Sequence, residues 1–134
     1  MFFASTAAQY PICDDPIPET QQTNPLDIYG LSKLASEHLM NEIDLQTSIP
    51  TIIFRFFNAF GSNETNLHLI PEIQRQVNWG IRTIELGNLE SKRDFIHRYD
   101  MARSIIMLLN KFDSRIDLFN LGSGQEYSVI DVVK

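Results

Sequence analysis

An almost wholly apolar run that follows Pro50 constrains the fold more than any other stretch of the chain. Residues 51–57 are TIIFRFF, and their β-branched and aromatic side chains favour an extended strand. A strand with one solvated face alternates apolar and polar residues, whereas a strand covered on both faces is apolar throughout. The run therefore predicts a buried strand of a parallel sheet, which ends at the residues 58–61 (NAFG).

Helical and extended segments alternate along the rest of the chain. We predict helices over residues 28–45, 71–79 and 100–112, the last with Asp100 as its N-cap, and a final helix capped by Ser128. Residues 2–4, 82–86 and 118–121 are predicted to be strands, and four prolines between residues 10 and 27 predict a long surface loop. This alternation predicts an α/β fold with a parallel sheet.

Composition narrows the classes of partner. The 134 residues carry a net charge of -6, which argues against nucleic acid or an anionic membrane as the main partner. Cys13 is the single cysteine and Met1-Phe2-Phe3 is too short for a signal peptide or a membrane span, so we expect a cytoplasmic protein. The three histidines share no metal-ligand spacing. We therefore expect no metal site.

Tyr29 and Lys33 form the first candidate for chemistry. They are four residues apart at the start of the predicted helix 28–45, so their side chains lie on one face. An ammonium close to a phenol favours the phenolate, which can take the proton of a hydroxyl group. Tyr29 is the only one of the four tyrosines with a lysine four residues later. Alone, such a pair is more often two ordinary surface groups.

This pair is one of five short motifs that follow one another along the chain. They are Ser5-Thr6 at a strand end, Tyr29-x-x-x-Lys33, residues 55–61 (RFFNAFG), residues 93–97 (RDFIH), and residues 119–124 (FNLGSG) with Ser128-Val129. Over nearly the entire chain this series resembles the NAD-dependent sugar-nucleotide epimerase/dehydratase family of extended short-chain dehydrogenase/reductases. The resemblance implies the C-terminal part of a doubly wound, Rossmann-like parallel sheet plus part of a small substrate-binding domain.

The resemblance also implies roles for the residues of the catalytic motif. Tyr29 would be the base that takes the sugar hydroxyl proton, and Lys33 would hold the nicotinamide ribose of NAD or NADP. Thr6 would hydrogen-bond the same sugar oxygen, although a strand-end hydroxyl more often bonds to backbone. Ser5 would join Tyr29 and Lys33 in contacting the cofactor.

A second set of residues is implied to bind the nucleotide sugar, a UDP- or GDP-sugar. Asn58 would contact the substrate near its diphosphate, and the Arg93 guanidinium would bind the diphosphate itself. His68 and Leu69 would lie along the nucleotide. Without the resemblance, Asn58 is equally well a turn residue and Arg93 a solvated charge.

The resemblance divides the chain into two parts. Residues 1–61 correspond to the second part of the dinucleotide-binding domain, and residues 62–134 correspond mainly to a truncated substrate-binding region. The family's Gly-rich cofactor fingerprint belongs to the first βαβ unit, and this sequence does not contain it. We therefore expect a fragment that is inactive in isolation, with a homodimer formed by the full-length protein.

The residues after Thr6 bear on the reaction type. A 4,6-dehydratase needs acid/base groups beyond the tyrosine, and in those enzymes an acid follows shortly after the catalytic threonine, whereas Ala7 and Ala8 stand here. That favours epimerisation through transient oxidation at sugar C4. The alternatives are a GDP- or dTDP-sugar 4,6-dehydratase or 4-reductase. Residues 86–94 resemble the nucleotide-binding segment of GDP-mannose 4,6-dehydratases, which bears only on the base and suggests guanine rather than uracil. A non-catalytic remnant, or a module that binds only the nucleotide sugar, is a third alternative.

Overall fold

A computed structural model describes residues 1–64, 68–113 and 116–134. The elements, in chain order, are β1 (Phe2–Thr6), a 3-10 turn (Ala7–Gln9), α1 (Ile28–Thr47), β2 (Thr51–Phe56), β3 (Asn58–Phe60), α2 (Leu69–Asn78), β4 (Lys92–His97), α3 (Arg98–Leu109), β5 (Ile116–Leu121), β6 (Glu126–Ser128) and α4 (Val129–Val133). The predicted α/β fold class is confirmed.

Two three-stranded sheets organise these elements. The first is fully parallel in the order β1-β2-β5, and the second has the order β3-β4-β6, with β3 parallel and β6 antiparallel to β4. β2 lies at the centre of the first sheet, and its residues 51–55 are all buried, as the apolar run predicts. β5 lies in the 62–134 part of the chain but pairs with β2 of the 1–61 part, so the first sheet draws on both parts.

The core lies between β2 and α3. Ile52, Phe54, Ile96 and Leu121 form the buried cluster, and Met101, Ile105 and Leu108 of α3 pack against it. The Phe54 ring is fully buried and contacts three other phenylalanine rings with centroids 5.4 to 6.3 Å away. This packing fixes β2 in the core, and only Phe57 separates the end of β2 from β3.

One predicted strand is wrong, and so are the predicted ends of the helix 100–112, which runs from Arg98 to Leu109. Residues 82–86 form no strand, because the side-chain amide of Gln76 pairs with the backbone of Glu85: Gln76 Nε2 donates to the Glu85 carbonyl and Glu85 N–H donates to Gln76 Oε1, both at 2.8 Å. α3 begins at Arg98 rather than at Asp100, because the His97 side chain accepts the Tyr99 N–H as the N-cap. The three strands of the second sheet, β3, β4 and β6, were not predicted.

Within the three described ranges, no helix combines the length and the apolarity needed to cross a membrane.

Candidate active site and nucleotide cleft

The carboxyl ends of the parallel strands meet at one edge of the first sheet. Thr6, Phe56 and Leu121 are the last residues of β1, β2 and β5, and they stand in register. In open α/β sheets, ligands bind outside this edge. Thr6 ends β1 at this edge, and Asn58 follows the last residue of β2 by two positions.

Thr6 ends β1 and caps the turn that follows. Its hydroxyl oxygen accepts the Ala8 N–H at 3.2 Å, and the residue is 8% exposed. This is the strand-end contact with backbone that a threonine makes without any ligand. The hydroxyl keeps its own hydrogen as a donor in this arrangement.

Tyr29 and Lys33 lie in the first two turns of α1, and the Lys33 side chain reaches β1. The Asp27 side chain caps the helix by accepting the Gly30 N–H at 2.6 Å. A Cβ at Gly30 would lie 2.5 Å from the Ala8 carbonyl oxygen, so only glycine lets the helix start this close to the turn after β1. Lys33 Nζ donates to the Ala4 carbonyl at 2.9 Å, and Tyr29 is 55% exposed.

Ser5 points away from this surface into a buried polar network. Its hydroxyl donates to Glu37 Oε1 at 2.5 Å, and Gln9 Nε2 donates to both Ser5 Oγ and Glu37 Oε1 at 2.5 and 2.7 Å. Arg55 closes the network with a fork of two hydrogen bonds to Glu37, from Nε at 3.0 Å and from Nη2 at 2.6 Å. The Ser5 hydroxyl thus connects β1 with α1, and its contact with a cofactor stays a prediction.

The charge state of Glu37 follows from this network. Burial by itself would raise the pKa of the carboxyl, but hydrogen bonds from Arg55, Ser5 and Gln9 and the charge of Arg55 outweigh it and hold the pKa below its ordinary value. Burial would lower the pKa of Arg55, whereas the hydrogen bond to Glu37 raises it. The two groups therefore remain a charged pair at neutral pH. The sequence prediction missed this pair, although Glu37 follows Lys33 by one further four-residue step.

A cleft of about 620 Å³ brings together the four residues implied to bind the nucleotide sugar. Asn58, His68, Leu69 and Arg93 all line it. β3 and β4 pair in parallel with Asn58 opposite Phe95, and Asn58 Nδ2 donates to the Asp94 carbonyl at 3.1 Å. The pairing of these two strands therefore places the amide of Asn58 beside the strand that carries Arg93.

A shallower hollow of about 360 Å³ continues the cleft past His68, Leu69 and Gly87. Glu72 lines this hollow, and hydrogen bonds from Arg75 and Gln76 lower its pKa to about 2. The same Gln76 holds residue 85, so the 85–87 segment of the wall is fixed by α2.

Asp94 fastens the cleft strand β4 to the turn after β5. Its carboxylate accepts hydrogen bonds from Ser123 N and Ser123 Oγ, both at 2.7 Å, and from Gly124 N at 2.9 Å. A Cβ at Gly122 would collide with the same carboxylate and would crowd the Phe57 ring. The turn at residues 122–124 (GSG) therefore binds the Asp94 carboxylate closely, and the missing side chain of Gly122 leaves the space that this contact needs.

Two curated proteins illustrate what the chain is similar to. The chain is 32% identical over 151 residues to UDP-glucose 4-epimerase of Corynebacterium glutamicum, an alignment that covers 100% of the chain and 46% of that protein. It is 32% identical over 120 residues to dTDP-L-rhamnose 4-epimerase of Burkholderia thailandensis, covering 84% of the chain and 32% of that protein.

The same relationship holds in three dimensions. The solved structure of MoeE5 in complex with UDP-glucose and NAD superposes with a TM-score of 0.90 at 27% identity, covering 98% of the chain and 45% of that protein. The chain thus spans about half the length of its curated relatives and solved neighbours. Residues 1–122 match the model of the NAD dependent epimerase/dehydratase family. The chain belongs to the NAD-dependent epimerase/dehydratase family.

Proposed function

We propose that this chain supplies the base and the substrate cleft of an NAD-dependent nucleotide-sugar 4-epimerase. The observation that carries the proposal is the arrangement of the two residue sets: Thr6 at the end of β1, with Tyr29 and Lys33 at the start of the helix whose Lys33 is bonded to β1, and the four candidate binding residues around one cleft of about 620 Å³. Phe57 connects the two sets, because it directly follows β2 and lines the cleft.

The residues at the end of β1 fit a nicotinamide nucleotide. An ammonium has three N–H donors, of which Lys33 gives one to the Ala4 carbonyl, so two are left for the hydroxyls of a ribose. Tyr29 is exposed enough for its phenol to reach a bound ligand. When bound, the cofactor supplies a reversible acceptor for the hydride of C4. The proposed choice is NAD, with NADP as the alternative.

Tyr29 would take the proton of the C4 hydroxyl while the C4 hydrogen passes as hydride to the bound nicotinamide. After the sugar presents its other face, the hydride would return to C4 and Tyr29 would return the proton to the C4 oxygen. Lys33, four residues further along the same face of α1, holds the ribose of the cofactor. Thr6 donates its hydroxyl hydrogen to the same sugar oxygen. Tyr29 therefore acts on the proton, and Thr6 orients the oxygen that carries it.

Asn58 and Arg93 hold the substrate through its diphosphate, and His68 and Leu69 lie along the nucleotide. A guanidinium fits a phosphate in a bidentate way. The segment that resembles GDP-mannose 4,6-dehydratases contributes Gly87, Asn88 and Ser91 to the cleft, so guanine is the alternative to uracil as the base. The full-length protein would act as a homodimer.

Epimerisation is proposed over 4,6-dehydration because of the turn after Thr6. Ala7 and Ala8 form this turn together with Gln9, and Ala8 is exposed at its surface. Neither methyl group can move a proton, whereas a dehydratase must protonate a departing hydroxyl.

Replacing the base tests the proposal. In the full-length protein, Tyr29→Phe should lower kcat by several orders of magnitude and leave the dissociation constant of the nucleotide sugar nearly unchanged. Tyr127→Phe is the matched control, since this tyrosine is also exposed and donates its hydroxyl only to Gln125 nearby. Activity of Tyr29→Phe within about tenfold of the parent would refute the assignment.

Calorimetric titration of the unsubstituted protein separates the alternatives. An enzyme binds both NAD and a nucleotide sugar, a binding module takes only the sugar, and a remnant takes neither.

A further inference from the structure

One face of α1 is bonded to consecutive residues of β1. Tyr29, Lys33 and Glu37 follow one another at four-residue steps and so share a face of the helix. Lys33 donates to the Ala4 carbonyl at 2.9 Å, and Glu37 accepts from the Ser5 hydroxyl at 2.5 Å. The next residue of β1 is Thr6. These two hydrogen bonds therefore fix how far along β1 the helix sits.

Contacts with β2 fix the position of Glu37. Arg55 grips both carboxylate oxygens, and the two residues are only 4% and 5% exposed. Arg55 Nη1 also donates to the Tyr10 hydroxyl at 2.8 Å, which in turn donates to Asn120 Oδ1 of β5 at 2.8 Å. One buried network thus joins α1 to all three strands of the parallel sheet.

Such a pair is an unusual way to stabilise a fold. Replacing a buried ion pair by apolar side chains of similar size is often neutral or stabilising, because both charges lose their hydration. Hydrogen bonds of fixed direction, however, define a register that apolar contacts alone leave free to slide. Glu37 lies four residues after Lys33 on α1, and its hydrogen-bond partner Ser5 directly precedes Thr6 on β1. This placement points to a geometric role for the ion pair.

We propose that Glu37, held by Arg55, is a positioning residue that sets the placement of Tyr29 and Lys33 on α1 relative to Thr6 on β1. The inference rests on the proposed function, in which Tyr29 and Thr6 act on one sugar oxygen and Lys33 holds the ribose of the cofactor. A misplacement of about 1 Å can cost about a hundredfold in rate. Loss of the pair should therefore reduce kcat while leaving the nucleotide cleft and KM unchanged.

The test compares folded variants of the full-length protein. The double variant Glu37→Met with Arg55→Met removes both charges at once, and Glu42→Gln, an exposed acid on the same helix, is the control. We expect the double variant to melt cooperatively, to show a kcat about a hundredfold below the parent, and to keep KM within threefold. Amide hydrogen exchange over residues 30–34 should be at least tenfold faster than in the control.

Arg55→Lys is the second variant, because it retains a paired charge but lacks the fork that grips both oxygens. It should lose at least tenfold in kcat at unchanged KM. Either variant, folded and with kcat within threefold of the parent, would overturn the positioning role.

Tyr29→Phe, assayed in parallel, keeps the two hypotheses apart. If Tyr29→Phe is inactive while both network variants match the parent, only the positioning role fails. If Tyr29→Phe itself retains activity, the proposed function fails, and the hydrogen-exchange comparison still tests the anchoring of α1.

Discussion

Asp94→Ala should destabilise the protein by removing the carboxylate that bonds β4 to the turn at residues 122–124. The carboxylate accepts three hydrogen bonds of 2.7 to 2.9 Å, two of them from backbone N–H groups. A hydrogen bond to a charged group contributes about 1.5 to 3 kcal/mol, but Ser123 and Gly124 are exposed and water can replace part of the loss. We therefore expect a total cost of about 2 to 3 kcal/mol.

Gly122→Ala offers an independent test of the same contact. In the parent, the added methyl group collides with the Asp94 carboxylate, and overpacking of this kind costs about 1 to 3 kcal/mol. Once Asp94→Ala has removed the carboxylate, the methyl group meets mainly the Phe57 ring. The double variant should therefore lose at least about 1 kcal/mol less than the sum of the two single variants.

Urea unfolding of the full-length protein measures both effects through the shift of the midpoint. Asp15→Ala, an exposed acid in the long loop, is the control and should stay within about 0.5 kcal/mol of the parent. An Asp94→Ala variant as stable as this control, or a strictly additive cycle with Gly122→Ala, would refute the reasoning.

Two further predictions concern binding and pH. Arg93→Ala should weaken UDP or GDP binding at least tenfold by calorimetry, since a charge-assisted hydrogen bond to the diphosphate contributes about 1.5 to 3 kcal/mol; the exposed Arg82→Ala is the control, and an unchanged dissociation constant would exclude the role. The Glu37 pKa lies below its ordinary value of 4.5 in the folded protein, so its stabilising contribution is complete above that value and disappears as the pH falls through the folded pKa. Between about pH 5 and 3, the parent should therefore lose more stability than the variant with Glu37→Met and Arg55→Met, and parallel pH curves would contradict this.

The sequence predicts the elements whose signal is local. The apolar run of β2 indicates a strand buried on both faces, and the helical spacing of Leu31, Leu34 and His38 indicates α1. The Tyr29–Lys33 spacing likewise places both groups on one helix face. Each of these patterns depends only on neighbours within a few residues.

The prediction errors occur where a contact with a residue distant in sequence determines the local structure. Residues 82–86 look like a strand, but the backbone of Glu85 is taken by the side chain of Gln76, nine positions earlier. Glu37 looks like part of a solvated helix face and is buried only because Arg55 reaches it from β2. A local sequence pattern does not indicate a partner eighteen residues away.

The cleft residues show the same limit. Asn58 and Arg93 are 35 positions apart, and only the parallel pairing of β3 with β4 brings them to one wall. Spacing alone could not have grouped them; the resemblance to the family did.

The central claim, epimerisation through oxidation at C4, is tested most directly by proton NMR of the product formed in D2O. The full-length protein is incubated with NAD and a panel of UDP- and GDP-sugars. If the hydride leaves C4 and returns to it, the sugar accepted as substrate should invert at C4 and retain protium at both C4 and C5. Deuterium at C4, or loss of water with deuterium at C5, would contradict the account.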